Sequence, residues 1–389
     1  MNNLFVESGY ISLNKFGEQL CGDKVETISH DGDFTIVLAD GLGSGVKANI
    51  LSTLTSKIIG TMMANGMPIE ECVATIAETL PVCKVRQVAY STFTILQVRG
   101  DWDVYLVQFD NPDVILLRDG KSVPYDTEKK IICGKTICES RIKGQMGDMF
   151  ILMSDGVIHA GIERTLNYGW QLPQITEFAQ DNYKPDMSAQ TMASTIGEAC
   201  RGLYMEKPGD DTTVAVLRIR ARQVVNLIIG PPVNPEDDEK VMQLYFSKEG
   251  KRVVCGGTTS NIISRYLDKP IKTEINYEDP SIPPIAHIEG IDLVTEGVLT
   301  LGKVLEIAEG FTNNSDFDTK FREKEDGASL VARMLFEEAT DINFFVGRAK
   351  NAAHQNPNMP LSFSLKLKLI EELSKCLENM GKHVKVMYF

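Results

Sequence analysis

The sequence predicts an α+β chain of two domains: an N-terminal sheet sandwich covered by helices over residues 1–223, and a smaller α/β domain with a parallel sheet over 224–389. Three observations predict it. In the first part, apolar strands follow one another through short turns, with helices grouped between them. Past about residue 223, strands and helices alternate, the order that builds a parallel sheet. The 389 residues also exceed one ordinary domain, at roughly 100–200 residues each.

In the first part, Ser8–Leu13 and Cys21–Ser29 read as strands, Asp31-Gly32 as a turn and Phe34–Ala39 as an apolar strand. Apolar residues at helical spacing predict a helix over Gly45–Ala64, stopped by Asn65-Gly66. Pro68 opens a second helix that runs to Leu80. Strand-like runs follow at Tyr90–Arg99, Asp103–Asp110, Asp113–Asp119, Lys130–Cys133 and Met149–Ser154. Helices are expected over 173–180 and 187–204, and Thr212–Arg220 is the last strand.

The second part opens with the apolar strand Val224–Ile229, punctuated by Pro231-Pro232 and Asn234-Pro235. Helices are expected over Glu236–Phe246, Thr258–Leu267, from about Leu301, over 328–339 and over 361–379. Strands are expected at Arg252–Cys255, Asp292–Thr295, Ile342–Val346 and His383–Phe389. The polar stretch 312–326 reads as a mobile loop.

Composition narrows the function. A chain with 43% hydrophobic and 24% charged residues folds rather than staying disordered. Acidic residues outnumber basic ones, 53 to 40, for a net charge of −13. That balance argues against nucleic acid, which needs a basic footprint, and against adhesion to anionic membranes. No apolar run reaches the ~18 residues of a membrane span, and the first residues lack the marks of a signal peptide. The eight cysteines form no C-x-x-C pair, which disfavours a zinc ribbon or thioredoxin-type site and suits reduced thiols in a cytoplasm.

Four aspartate positions share one context, a strand end or the turn beside it. They are Asp23 in Cys21-Gly22-Asp23, Asp40 in Asp40-Gly41-Leu42-Gly43-Ser44-Gly45, Asp155 in Ser154-Asp155-Gly156, and Asp210 before Asp211-Thr212-Thr213. Hard divalent cations such as Mg²⁺ and Mn²⁺ prefer carboxylate, carbonyl and water oxygens. Carboxylates converging from several strand ends suit them, and the glycines allow a carbonyl to join. Any single Asp-Gly pair is more simply a turn. The Gly-x-Gly-x-Gly run at 41–45 has no Lys-Ser/Thr and is not a Walker loop; it also departs from G-x-G-x-x-G.

The order of the motifs is more specific than any one of them. Gly-Asp, Asp-Gly-x-Gly-x-Gly entering a helix, Ser-Asp-Gly after an apolar strand and Asp-Asp-x-Thr before a last strand together resemble the metal-dependent protein phosphatases of the protein phosphatase 2C superfamily. Within it the chain looks most like the stage II sporulation protein E branch, over about residues 1–220. The resemblance implies an α-β-β-α sandwich with two Mn²⁺ or Mg²⁺ ions at one end of the sheets. It places the bridging carboxylate on Asp40 and a carbonyl ligand on Gly41. Asp23 falls to the same ion as Gly41, and Asp155 and Asp210 to the other, with Asp211 outside the ligand set. It implies hydrolysis of phosphoserine or phosphothreonine by a metal-activated water, without a protein nucleophile. The substrate would be a bacterial regulatory phosphoprotein such as an anti-sigma-factor antagonist. In that branch, helices near the metal-binding strand also control assembly of the site.

The sequence departs from the superfamily in two places. No His follows Asp40 closely, and the first Arg is Arg86, so no N-terminal arginine is available to grip phosphate. His159, four residues past Asp155, could approach the ions, but a surface or packing role is the simpler reading. Cys133 and Cys138 read as core or loop thiols, and Met62, Met63 and Met67 as packing residues.

In the second part, Gly256-Gly257-Thr258-Thr259-Ser260 could bind an anion at a helix start, or simply cap the helix with Thr258, Thr259 or Ser260. His287, Glu289 and Asp292 read as strand-edge polar residues rather than metal ligands. The region resembles an accessory domain that regulates, binds a partner or mediates homodimerisation. Two rival functions stand beside the phosphatase: a catalytically silent phosphoprotein-binding module, and a hydrolase of small phosphate esters.

Overall fold

A computed structural model describes residues 4–30, 32–79, 91–162, 164–273, 284–312, 319–349 and 361–389. The expected turn residue Asp31, the end of the second helix at Leu80, Tyr90, Arg86 and residues 313–318 of the expected loop lie outside the described residues. The chain divides into two compact units, Met1–Ala221 and Arg222–Phe389.

In chain order the first unit runs β1 (Leu4–Leu13), β2 (Asp23–His30), β3 (Asp33–Gly41), α1 (Gly45–Ala64), α2 (Ile69–Thr79), β4 (Ser91–Val98), β5 (Asp103–Phe109), β6 (Ile115–Arg118), β7 (Lys121–Ser122), β8 (Glu128–Ile132), β9 (Lys135–Lys143), β10 (Asp148–Met153), α3 (Asp155–Ile158), α4 (Leu172–Asn182), α5 (Ala189–Leu203) and β11 (Thr212–Ala221). The strands form two antiparallel sheets, ordered β1-β11-β10-β6-β7 and β2-β3-β4-β5-β9-β8.

Alternation along the strands builds the layers. Ile36, Leu38, Leu96 and Leu106 of one sheet pack against Leu116, Phe150, Leu152 and Leu217 of the other. The opposite face of the first sheet, with Ile151, Met153 and Val216, meets Ile175 of α4 and Met192 and Ile196 of α5. The opposite face of the second, with Val37, Ile95 and Val107, meets Ile59 and Met63 of α1 and Cys72 of α2. The result is an α-β-β-α sandwich. Ser188 caps α5, its hydroxyl accepting the Thr191 N–H at 3.1 Å. Helix α1 buries a mostly small face, Ala48, Ser52, Ser56 and Gly60, so it lies close on β3. Met63 is core, while Met67 is exposed.

The differences from expectation have physical causes. Strand β1 starts at Leu4 rather than Ser8, pairing residue for residue with β11. Its charged Glu7 is 4% exposed and faces Arg220, itself 7% exposed, at 3.3 Å. Strand β9 was not expected because Glu139 interrupts its apolar pattern. That carboxylate points inward, taking the Tyr105 hydroxyl at 2.8 Å and the Lys130 ammonium at 3.0 Å. Cys133 and Gly134 join β8 to β9 with φ of 50° and 75°, the backbone of a tight hairpin turn, which leaves Cys133 exposed. The short helix α3 directly follows β10.

The second unit runs β12 (Val224–Ile229), α6 (Asp238–Phe246), β13 (Lys251–Cys255), α7 (Gly257–Leu267), β14 (Lys272–Thr273), β15 (Ala286–His287), β16 (Leu293–Thr295), α8 (Val298–Thr312), α9 (Gly327–Ala332), β17 (Asp341–Val346), α10 (Leu361–Asn379) and β18 (His383–Tyr388). Its sheet has the order β14-β15-β16-β13-β12-β17-β18. The pairs from β16 to β18 are parallel, with β14 and β15 as an antiparallel edge. Helices α8, α9 and α10 cover one face and α6 and α7 the other.

Within the stretch 312–326, residues 319–322 form a helical turn, and Asp326 caps α9 by accepting the Ser329 N–H at 2.9 Å. The expected helix 328–339 is α9 continued by a wider π-helical turn, Arg333–Glu338. The cap of α7 is Gly256, at φ 107°, and not a hydroxyl residue. Thr259 instead accepts the Gly230 N–H at 2.9 Å, and Ser260 donates to the Gly256 carbonyl. Glu289 pairs with Lys269, and Asp292 accepts the Arg252 N–H. Among the described residues no helix is long and apolar enough to cross a membrane, and no two of the seven cysteines are joined by a disulfide.

Two predictions follow from the packing of β1. A Cβ on Gly9 would sit 2.4 Å from the backbone of Gln190 on α5, so Gly9→Ala should lose about 2 kcal/mol or more in urea unfolding. Removing Arg220 takes the ion-pair contact from the buried Glu7 carboxylate, which also accepts the Ala189 N–H at 3.2 Å. Arg220→Ala should therefore lose about 3 kcal/mol, and the double change Glu7→Leu with Arg220→Met should recover most of it.

Candidate metal centre

The antiparallel register of β2 and β3 sets Asp23 directly opposite Asp40. On the other side of β3, Thr92 stands opposite Asp40 and Ser91 opposite Gly41. Two carboxylates thus meet at one end of the second sheet. In the first sheet, β10 and β11 pair as far as Met153 and Val214. Ser154 and Thr213 extend that pairing: the Ser154 N–H donates to the Thr213 carbonyl at 3.0 Å, and the Thr213 N–H to the Ser154 hydroxyl at 2.9 Å. Asp155, just past β10, and Asp210, just before β11, therefore flank the same sheet end.

Close backbone approach holds the ends in place. A Cβ on Gly41 would lie 2.1 Å from the Ala48 carbonyl, and one on Gly156 would lie 2.1 Å from the Asp211 carbonyl. Only glycine permits either contact. Ser91 donates its hydroxyl to the Asp40 carbonyl at 2.8 Å, and Asn49 its amide to the Cys21 carbonyl at 2.8 Å. The Tyr204 hydroxyl donates to the Gly156 carbonyl at 2.7 Å, fixing the start of α3. These supporting residues carry no sequence signal, because nothing in a lone Ser, Asn or Tyr shows which carbonyl it reaches.

Charge is concentrated here. Burial raises the Asp40 carboxyl above the usual carboxylate range, and the negative charges of Asp23, Asp155 and Asp210 raise it further. Asp23, 3% exposed, is raised by burial, and the negative charge of Asp211 reinforces the shift. Asp155 is raised by burial and by Asp210, with His159 opposing. Asp211 is raised by burial, while the Lys15 N–H, donating to its Oδ1 at 3.0 Å, opposes the shift. His159 itself is exposed, and its backbone N–H closes a turn on the Asp155 carbonyl. The charges of Asp23, Asp155 and Asp210 thus all act on Asp40, and Gly41 follows it at the end of β3.

The donor set fits a hard divalent cation. Both oxygens of Asp23 and one of Asp211 are buried without hydrogen-bond partners, a costly arrangement for carboxylates unless a cation or protons compensate it. The available donors are carboxylate and carbonyl oxygens, which suit Mg²⁺ or Mn²⁺ and not a thiolate or imidazole metal. Among the described residues, no three acidic, histidine or cysteine side chains are gathered as a ready-made cage.

Comparison with known proteins bears on this end of the sandwich. Residues 30–220 match the family described as stage II sporulation protein E (SpoIIE). No curated protein sequence matches the chain. Among solved structures, the chain is similar to the phosphatase domain of the cell fate determinant SpoIIE from Bacillus subtilis, at 20% identity and a TM-score of 0.45, covering 57% of this chain and 95% of that one. It is also similar to the RsbU and RsbW domains of Rv1364c from Mycobacterium tuberculosis, at 14% identity and a TM-score of 0.46, covering 63% and 68%. A third is RsbX in complex with magnesium, at 18% identity and a TM-score of 0.40, covering 56% and 97%. With its ordered aspartate motifs and this match, the segment 30–220 is a domain of the stage II sporulation protein E family of PP2C-type phosphatases.

Proposed function

We propose that the first unit is an Mn²⁺- or Mg²⁺-dependent protein serine/threonine phosphatase acting in the cytoplasm on a regulatory phosphoprotein of the anti-sigma-factor-antagonist kind. The observation that supports the reading is the register that sets Asp23 opposite Asp40, with Asp155 and Asp210 flanking the paired end of β10 and β11. In this reading Asp40 would be shared by the ions, Asp23 and the Gly41 carbonyl would help hold one, and Asp155 and Asp210 the other. When bound, such a pair supplies Lewis acidity toward phosphoryl oxygens and an activated water as nucleophile.

The chain's own residues hold the geometry. The Asp23–Asp40 register fixes the distance between two of the carboxylates. The Tyr204 hydroxyl fixes the α3 start that carries Asp155. Asp211 anchors the Lys15 backbone and so ties the β1–β2 loop to the loop bearing Asp210. The second unit, a doubly wound sheet, is read as the regulatory or partner-binding part, including homodimerisation.

The direct test is hydrolysis of p-nitrophenyl phosphate and of phosphoserine or phosphothreonine peptides in EDTA, Mg²⁺ and Mn²⁺. Turnover should require the divalent ion. Asp40→Asn and Asp155→Asn should each lower kcat about 100-fold or more, since the ions are asked for several kcal/mol of transition-state stabilisation. Turnover that persists in EDTA, or survives both substitutions, would refute the reading. Hydrolysis of the ester with none of the phosphopeptides would move the function to small phosphate esters.

Stability should report the same centre without any substrate. Carboxyls whose pKa is raised on folding bind more protons in the native than in the unfolded state, so stability falls as pH climbs from the ordinary carboxylate range through their raised values. In EDTA the protein should melt lower at about pH 8 than at about pH 5.5, with the difference worth roughly 1 kcal/mol or more. Mn²⁺ at about 100 times its Kd should add roughly 2.7 kcal/mol at the higher pH. Asp40→Asn should flatten both responses in calorimetry.

A further inference from the structure

A phosphomonoester carries up to two negative charges, yet the proposed centre is lined with carboxylates. Among the described residues, Lys15 is the one basic side chain in ion-pair contact with these four aspartates, its Nζ 3.5 Å from Asp210 Oδ1.

The segment that carries it is fastened on two sides. Toward the loop before β11, the Lys15 N–H donates to Asp211 Oδ1 at 3.0 Å and the Phe16 N–H to the Pro208 carbonyl at 2.8 Å. The Lys207 ammonium also lies 5.2 Å from the centre of the Phe16 ring. Toward α1, the Ser44 hydroxyl donates to Glu18 at 3.2 Å. The backbone of Lys15 is thereby held at the edge of the centre, while its side chain stays 38% exposed.

We propose that Lys15 binds the phosphate of the substrate and supplies a cationic grip at a centre otherwise lined with carboxylates; this rests on the reading of the centre given above. An ion pair as exposed as Lys15–Asp210 stabilises by no more than about 1 kcal/mol, so the ammonium can turn from Asp210 to an incoming phosphate at little cost. A lysine on a flexible stem suits that movement, and three donors on a point charge suit a tetrahedral oxyanion. A role as a plain counter-ion of Asp210 makes a different prediction, because Lys15 would then act on the metal rather than on the phosphate.

The experiment compares the full chain with Lys15→Ala and Lys15→Arg, all loaded with Mg²⁺. Calorimetry reads the affinities for Mg²⁺ and for inorganic phosphate, and kinetics on p-nitrophenyl phosphate separate KM from kcat. In Lys15→Ala, the phosphate Kd and the KM should both rise about tenfold, the loss of one charge-assisted contact. Mg²⁺ affinity should stay within about twofold of wild type, and Lys15→Arg should regain most of the phosphate affinity. An unchanged phosphate affinity in Lys15→Ala, beside a wild type that binds Mg²⁺ and turns over, would remove the role of Lys15 and leave the centre standing. Phosphate and Mg²⁺ affinities that change together would overturn the proposal in favour of the counter-ion role. A wild type that neither binds Mg²⁺ nor turns over would remove the reading of the centre and this proposal with it.

Discussion

The pairing of Asp23 with Asp40 across two antiparallel strands is the constraint around which the first unit is organised. Two carboxylates set opposite each other repel, and burial sharpens that repulsion. The fold imposes the arrangement because β3 is an interior strand of its sheet, with Thr35 to Ala39 all buried. A one-residue slip in β2 would turn Val25 out of the core, so register and site are specified by the same side chains. Asp155 and Asp210 add charge from the second sheet, and the inter-sheet core of Leu38, Leu96, Phe150 and Leu217 holds the two sheets face to face.

Around that cluster, the fold places groups whose purpose is positional. Gly41 and Gly156 admit backbone carbonyls at distances that a Cβ would forbid. Ser91, Asn49 and Tyr204 each satisfy a carbonyl close to an aspartate. The loop of Lys15 and Phe16 closes onto the loop of Asp210 and Asp211 through backbone bonds, so its lysine side chain remains available. Order in the backbone and unsatisfied charge in the side chains coexist there, a pattern common at functional sites.

The second unit obeys a different logic. Its chain moves from β12 to β13 and β16 on one side, then crosses to β17 and β18 on the other, so the sheet has a switch point between β12 and β17. The glycines that end these strands, Gly230 and Gly347, pack against one another, and a Cβ on Gly347 would lie 2.2 Å from the Gly230 carbonyl. Its helix α7 is capped by Gly256, with Thr259 accepting the Gly230 N–H and Ser260 donating to the Gly256 carbonyl.

Much of this was legible before any coordinates. Apolar strands such as Phe34–Ala39, the change of pattern near residue 220 and the order of the aspartate motifs are local properties, and local sequence determines them through apolar patterning and turn chemistry. The strands it hid, the first half of β1 and all of β9, contain Glu7 and Glu139. A buried carboxylate looks like a surface residue until Arg220, Tyr105 and Lys130 are brought to it from elsewhere in the chain. The same holds at the site. The sequence by itself named Asp23, Asp40, Asp155 and Asp210. Tertiary structure alone decided that Asp23 faces Asp40 and that Lys15 reaches Asp210 across 195 positions of chain, because such contacts depend on how sheets stack and loops close.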